Sequence, residues 1–123
     1  MRWEVLADDA VSVWLGNLGA TDPKTFELVT AAIDKLEDDG PTLGRPMVDR
    51  IAGSKYQNMK ELRPGSSRSS EIRILFAFDL HRRAILLAAG DKSGNWTQWY
   101  DDNIPVADDR FTQHQASLRM GDR

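Results

Sequence analysis

Glu61 and Arg63 stand two residues apart in the run from Asn58 to Arg63, and Glu71 and Arg73 repeat that spacing at the start of the next apolar run. Side chains two apart on a strand point to the same side. A hairpin between the two runs therefore gathers Glu61, Arg63 and Arg73 on one sheet face and leaves Leu62, Ile72, Ile74, Phe76 and Phe78 for a core. A third run, Arg83 to Ala89, continues into Gly90-Asp91-Lys92 and brings Lys92 to the end of a neighbouring strand. Arginine and lysine beside a carboxylate on a rigid sheet make a plausible site for phosphate chemistry. RNA suits such a set. Its 2′-hydroxyl attacks the adjacent phosphate without a metal, given a base for the proton and cations for the developing charge. Arg63 and Arg73 supply planar forks for phosphate oxygens, and Lys92 supplies a point charge. Glu61 or Tyr100 serves as base or acid. The competing reading is a surface ion-pair ladder in which Arg63 meets Glu71 across the hairpin.

Other chemistries find less support. The histidines, His81 in a turn and His114 on a polar tail, read as surface residues. There is no cysteine, no cluster with metal-ligand spacing, no phosphate-binding glycine loop and no nucleophile elbow, so no metal or other cofactor is expected. Trp96, Trp99 and Tyr100 either stack on unpaired bases or close the end of a small core. For the two tryptophans the core is the preferred reading, and Tyr100 is the better candidate for chemistry.

The elements that must hold these residues are legible as patterns. Trp3 to Ala7 reads as an opening strand. Asp8 and Asp9 cap a helix carrying Val11, Trp14, Leu15 and Leu18, with Gly19 as its stop. Asp22-Pro23 starts a second helix with Phe26, Val29, Ile33 and Leu36 as its stripe, closed by Gly40-Pro41. Residues 41–57 form a long connection with a short strand around Met47 to Ile51. Residues 64–70 and 79–82 are turns, so the central strands should run as an antiparallel meander. A helical tail is expected after Ile104-Pro105, capped by Asp101, Asp102 or Asn103. Two helices cover only one face of the sheet, which leaves the other for function.

The 123 residues are expected to form a single domain, with 41% hydrophobic and 28% charged residues as in a soluble globular protein. The longest aliphatic run, Ala84 to Ala89, is far short of the ~20 residues that span a bilayer. With an N-terminus that lacks a signal region, this points to the cytoplasm and away from membranes. The net charge of −3 is unevenly spread: residues 1–44 carry −6, residues 45–92 carry +5 and the remainder −2. The positive block coincides with the three central strands and can steer a polyanion locally.

The order strand, two helices, three antiparallel strands and a terminal helix resembles the RelE/ParE superfamily of bacterial toxins. Lys60-Glu61-Leu62-Arg63, Glu71-Ile72-Arg73-Ile74-Leu75-Phe76-Ala77-Phe78 and Ala84 to Gly90 resemble the core of its HigB-like, phage-related branch. The resemblance spans nearly the whole chain and implies an α+β fold, an antiparallel sheet packed on two N-terminal helices with a C-terminal helix. It also implies the toxin of a type II toxin–antitoxin module, acting as a ribosome-dependent, metal-independent mRNA endoribonuclease. The antitoxin would be a helix-turn-helix protein encoded by the adjacent gene. Arg73 matches the strand arginine that stabilises the scissile phosphate, Glu61 and Arg63 the preceding strand's polar face, Lys92 a post-strand basic residue, and Tyr100 a late aromatic. Lys60, Arg68 and Trp96 are the expected RNA contacts around them. This sequence departs from the family in having Asp91-Lys92 where paired lysines are usual, and tryptophans between Ser93 and Ile104. The alternatives within the fold are a ParE-like gyrase inhibitor and a catalytically inactive binding module.

Overall fold

The computed structural model describes residues 2–67 and 69–121. A five-stranded sheet forms from β1 (Val5–Ala7), β2 (Val48–Arg50), β3 (Lys60–Leu62), β4 (Ile72–Phe78) and β5 (Ala84–Asp91), in the spatial order β1-β5-β4-β3-β2. The strands β2 to β5 pair antiparallel, β3 to β5 through the two expected turns, and β1 joins the far edge parallel to β5. With helices α1 (Asp9–Thr21), α2 (Pro23–Asp39) and α3 (Trp96–Arg119), this is the α+β arrangement of a RelE-like small domain.

The local signals explain the first two helices. The Asp8 carboxylate accepts the Ala10 N–H at 3.0 Å and starts α1, which runs through Gly19 to Thr21. Asp22 accepts from the N–H and the hydroxyl of Thr25, at 3.2 and 2.7 Å, and Pro23 occupies the first turn of α2. Gly40 ends α2 at φ 59, where a Cβ would also collide with the Trp3 indole.

Alternation along the strands splits the interior into two layers. Leu62, Ile72, Ile74, Phe76, Ala84 and Leu86 pack with Val11, Val29, Ala32 and Leu36 under α1 and α2. Met59, Leu75, Ala77, Ile85, Leu87 and Ala88 pack with Trp99, Ile104, Ala107 and Phe111 of α3. A register shift between Leu75 and Phe76 lets Leu87 and Ala88 both face α3. The second sheet face is thus largely roofed, where the sequence reading left it open.

The roof begins earlier than expected. α3 starts at Trp96, after Asn95, and carries Pro105 in its interior. An interior proline costs about 3 kcal/mol, because it removes an N–H and crowds the carbonyl four residues back. Here Pro105 and Asp101 lie on the exposed side, so the freed carbonyl can be hydrated. Burying Trp99, Ile104 and Phe111 returns about 1.5–3 kcal/mol for each, and the apolar stripe wins over the local breaker.

His114 also departs from its expected surface position. Its Nε2 lies 2.8 Å from Oδ2 of Asp79, whose side chain is fully buried and bonded to the Arg83 guanidinium at 2.9 and 3.0 Å. This cluster ties α3 to the β4–β5 turn. His81 is exposed.

Candidate functional site

Glu61 is the centre of the site. It sits on β3 between the sheet and α3 with 2% of its surface exposed. One carboxylate oxygen, Oε1, accepts the Tyr100 hydroxyl at 2.6 Å. The other, Oε2, accepts the Arg63 fork through Nε at 2.9 Å and Nη2 at 2.8 Å. The Arg73 Nε lies 3.9 Å from Oε1, outside hydrogen-bond reach. Arg73 Nη1 donates to the Ile72 carbonyl at 2.8 Å, while its Nε is buried with no hydrogen-bond partner among the described residues. A buried unpaired N–H is uncommon, and here it belongs to a guanidinium packed against Glu61.

Backbone pairing sets this geometry. The register puts Glu61 opposite Leu75 on β4 and opposite Asp49 on β2. The Arg63 N–H bonds to the Met47 carbonyl at 2.7 Å, which extends the pairing one residue beyond the strand and holds Arg63 on the Glu61 side. Asp49 then takes Arg63 Nη2 at 3.3 Å and Arg45 Nε at 3.1 Å. The hydrogen bond from Arg45, followed by one from the Arg50 N–H, holds the Asp49 carboxyl below its ordinary pKa. Sequence reasoning missed Asp49 and Arg45. Only the β2–β3 register reveals them, since nothing in residues 45–49 marks them as neighbours of Glu61.

Tyr100 reaches the cluster from the first half of α3. Burial pushes its hydroxyl up to about 12, reinforced by the hydrogen bond and charge of Glu61 and opposed by Arg73. At neutral pH it is therefore a proton donor and cannot act as a base. Burial works against the charge of Arg63, but Glu61 and Asp49 outweigh it and its pKa is raised.

The structure thus brings Glu61, Arg63, Arg73 and Tyr100 together. Lys92 stands at the margin and is not a free point charge: it is 4% exposed, with Nζ 3.6 Å from Glu71 and 3.4 Å from the centre of the Trp96 ring. Its distance to the Tyr100 ring centre is 5.7 Å. Glu71 therefore pairs with Lys92, and Arg63 turns to Glu61 and Asp49, so the Arg63–Glu71 ladder does not form. Trp99 is core as expected, whereas Trp96 is 56% exposed, because α3 turns it outward over Lys92. Lys60 pairs with Phe76 and has its Nζ 5.9 Å from the Phe78 ring, which puts it on the α1–α2 side of the sheet, away from Glu61. Arg68 lies outside the described residues.

A cleft of about 360 Å³ opens beside the cluster, lined by Glu61, Tyr100, Thr97, Asp101 and Ile104 on one side and Arg50, Ile51 and Ala52 on the other. A larger one, about 500 Å³ around Trp3 and Arg82, lies at the opposite end of β5 from the Arg73–Gly90 pair. Among the described residues no group of three or more acidic or histidine side chains is placed to hold a metal ion, and no helix is long and apolar enough to cross a membrane.

Residues 17–112 match the family model described as Phage derived protein Gp49-like (DUF891). The chain belongs to this family. Two relatives from Mycobacterium tuberculosis place it in the HigB-like branch. The chain is 57% identical over 110 residues to a protein named "Putative toxin HigB2", covering 89% of this chain and 53% of that one. It is 61% identical over 93 residues to one named "Putative toxin HigB3", covering 76% and 79% respectively. The chain therefore spans about half the length of the first relative. No solved structure gives a significant match. The matched segment of the Gp49-like family includes every member of the Glu61 cluster.

Proposed function

We propose that this chain is the toxin of a type II toxin–antitoxin module and that it cleaves mRNA on the ribosome without a metal. The toxin assignment draws on the names of its two relatives. The observation that carries the nuclease reading is the hydrogen-bonded pair of Glu61 and Tyr100 in the wall of an open cleft, with the guanidinium groups of Arg63 and Arg73 held against the same carboxylate.

The cluster accounts for both proton movements of such a cleavage. The RNA 2′-oxygen attacks phosphorus as Glu61 takes its proton. Arg63 and Arg73 stabilise the extra negative charge on the phosphoryl oxygens. The bond from phosphorus to the 5′-oxygen then breaks, and Tyr100 protonates that leaving oxygen. The 2.6 Å hydrogen bond between Tyr100 and Glu61 returns the proton held by Glu61 to the phenolate, which leaves both groups as they began. The products are a 2′,3′-cyclic phosphate and a 5′-hydroxyl end.

A toxin must be restrained in its own cell, so the partner is an antitoxin, expected as a small helix-turn-helix protein from the adjacent gene. Ribosomes and mRNA place the reaction in the cytoplasm. The test is induction of the chain alone in bacteria, with transcript 5′ ends mapped before and after growth stops. New 5′-hydroxyl ends within translated regions support the reading. Arrest with intact mRNA and loss of DNA supercoiling replaces it with gyrase inhibition, and a harmless chain that still binds the adjacent gene product leaves only a binding module.

A further inference from the structure

Arg50 ends β2, one of the two edge strands of the sheet, and among the described residues its guanidinium makes no ion pair or hydrogen bond. It lines two clefts at once. One is the cleft beside Glu61 and Tyr100. The other, about 370 Å³, lies between Pro41–Gly44 and the β2 edge, with Arg45, Asp49 and Lys60 in its wall. The register places Arg50 directly opposite Lys60, and Asp49 opposite Glu61. Arg50 is therefore one residue (about 3.3 Å) along and one strand (about 4.8 Å) across from Glu61.

Charge separates this groove from the larger cleft at Trp3. There, Arg2 and Arg83 are bound to Glu37 and Asp79, Arg82 stacks on Trp3, and Glu4 adds a further carboxylate. At the β2 edge, Arg45, Arg50 and Lys60 face the single carboxylate of Asp49, which is already shared with Arg63. The Arg45 side chain is 79% exposed, so its contact with Asp49 is a weak surface pair that a phosphate can displace.

We propose that the β2 edge is a phosphate-backbone subsite for single-stranded RNA. Arg50, with Arg45 and Lys60, grips phosphates on one side of the scissile one. The strand then passes over the edge into the Glu61–Tyr100 cleft. This rests on the RNA-cleavage reading and adds a site outside its reacting groups. It also gives Lys60 a role on the face where the fold puts it.

The test uses the full chain and a short 2′-O-methyl oligoribonucleotide, which has no free 2′-hydroxyl and is not cut. Binding is followed by fluorescence anisotropy across a salt series. Each phosphate contact to a single strand contributes about 0.7 to the slope of log affinity against log salt, so the Arg50→Gln/Lys60→Gln double variant should lose about 1.4 from the wild-type slope. Removing two charges elsewhere, Lys24→Gln/Arg119→Gln, should leave it unchanged. An equal slope in the wild type and the Arg50/Lys60 variant overturns the subsite, as does a wild-type chain that does not bind the oligonucleotide. If the variant instead loses binding only to polyglutamate of matched charge, the edge is a surface for acidic protein and the RNA assignment falls. Binding as expected, with no cleavage of unmodified mRNA on ribosomes, sinks the nuclease reading and leaves the subsite standing.

Discussion

Replacing Glu61 with Gln tests the centre of the site, because it keeps the shape and an acceptor oxygen while deleting the charge. Three donors face that carboxylate, and they do not lose equally. Arg63 forfeits a charge-assisted fork but keeps Asp49 at 3.3 Å, and 34% of its side chain remains in solvent. Arg73 is 16% exposed and, among the described residues, has no second carboxylate in its contacts. Removing one partner of a buried pair costs about 3–5 kcal/mol, and the help from Asp49 and water brings the expected loss to about 2 kcal/mol. For a chain of 123 residues this is a fall in Tm of roughly 6–10 °C. The second readout is Tyr100, whose pKa of about 12 owes part of its rise to the hydrogen bond and charge of Glu61. In a Tyr56→Phe background, where Tyr100 is the remaining tyrosine, titration by tyrosinate absorbance should show its midpoint moving from about 12 toward the ordinary 10.0. Without its base, the protein should also lose about 10²–10⁴ in cleavage rate. A Tyr100 midpoint that stays near 12 in Glu61→Gln, with Tm unmoved, would refute the placement of Glu61 as the shared acceptor.

Arg73→Ala should reduce cleavage on the order of a hundredfold or more, as for loss of one donor to a developing oxyanion, and Arg73→Lys should rescue poorly because the fork is lost. Full toxicity in Arg73→Ala at equal expression would reassign Arg73 to structure. Tyr100 has a raised folded pKa, so its contribution to stability is complete below pH 10 and is lost as pH rises from 10 toward 12. Two units correspond to about 3 kcal/mol, which partial solvent exposure reduces to about 1, and Tyr100→Phe should flatten that part of the denaturation–pH curve. Asp79 works in the opposite sense: His114 and Arg83 overcome burial and hold its pKa below 3.8, so its stabilisation is present above pH 4 and fades as pH falls further. Asp79→Asn should cost about 3 kcal/mol in urea denaturation and remove that acid-side loss, and a change under 1 kcal/mol would show the cluster to be incidental. Trp96→Ala should barely move Tm, since the side chain is mostly exposed, and should weaken RNA binding by about 1–3 kcal/mol if a base stacks there.

The amino-acid sequence by itself determined the elements and the faces of the central strands. Asp8, Asp22-Pro23 and Gly40 are local signals whose effect depends on a few neighbouring backbone groups, so the start of α1 and both limits of α2 could be read with little more than propensity, whereas Gly19 did not stop α1. A period of two sends Leu62, Ile72, Ile74 and Phe76 inward together and Glu61, Arg63 and Arg73 to the other side, whatever the strands pack against. What only the tertiary structure decided depends on partners distant in sequence. Helix α3 begins nine residues before Pro105 because the sheet rewards Trp99 and Ile104, a gain invisible along the chain. That same helix carries Tyr100 onto Glu61, 39 residues away, and turns Trp96 outward. Asp49 joins Arg63 through strand register, and Lys60 leaves the site because its neighbour Glu61 enters it. Lys92 loses its freedom to Glu71 and Trp96. Spacing fixes which side of a strand a charge occupies; the packing of the remaining elements fixes which other charge it meets.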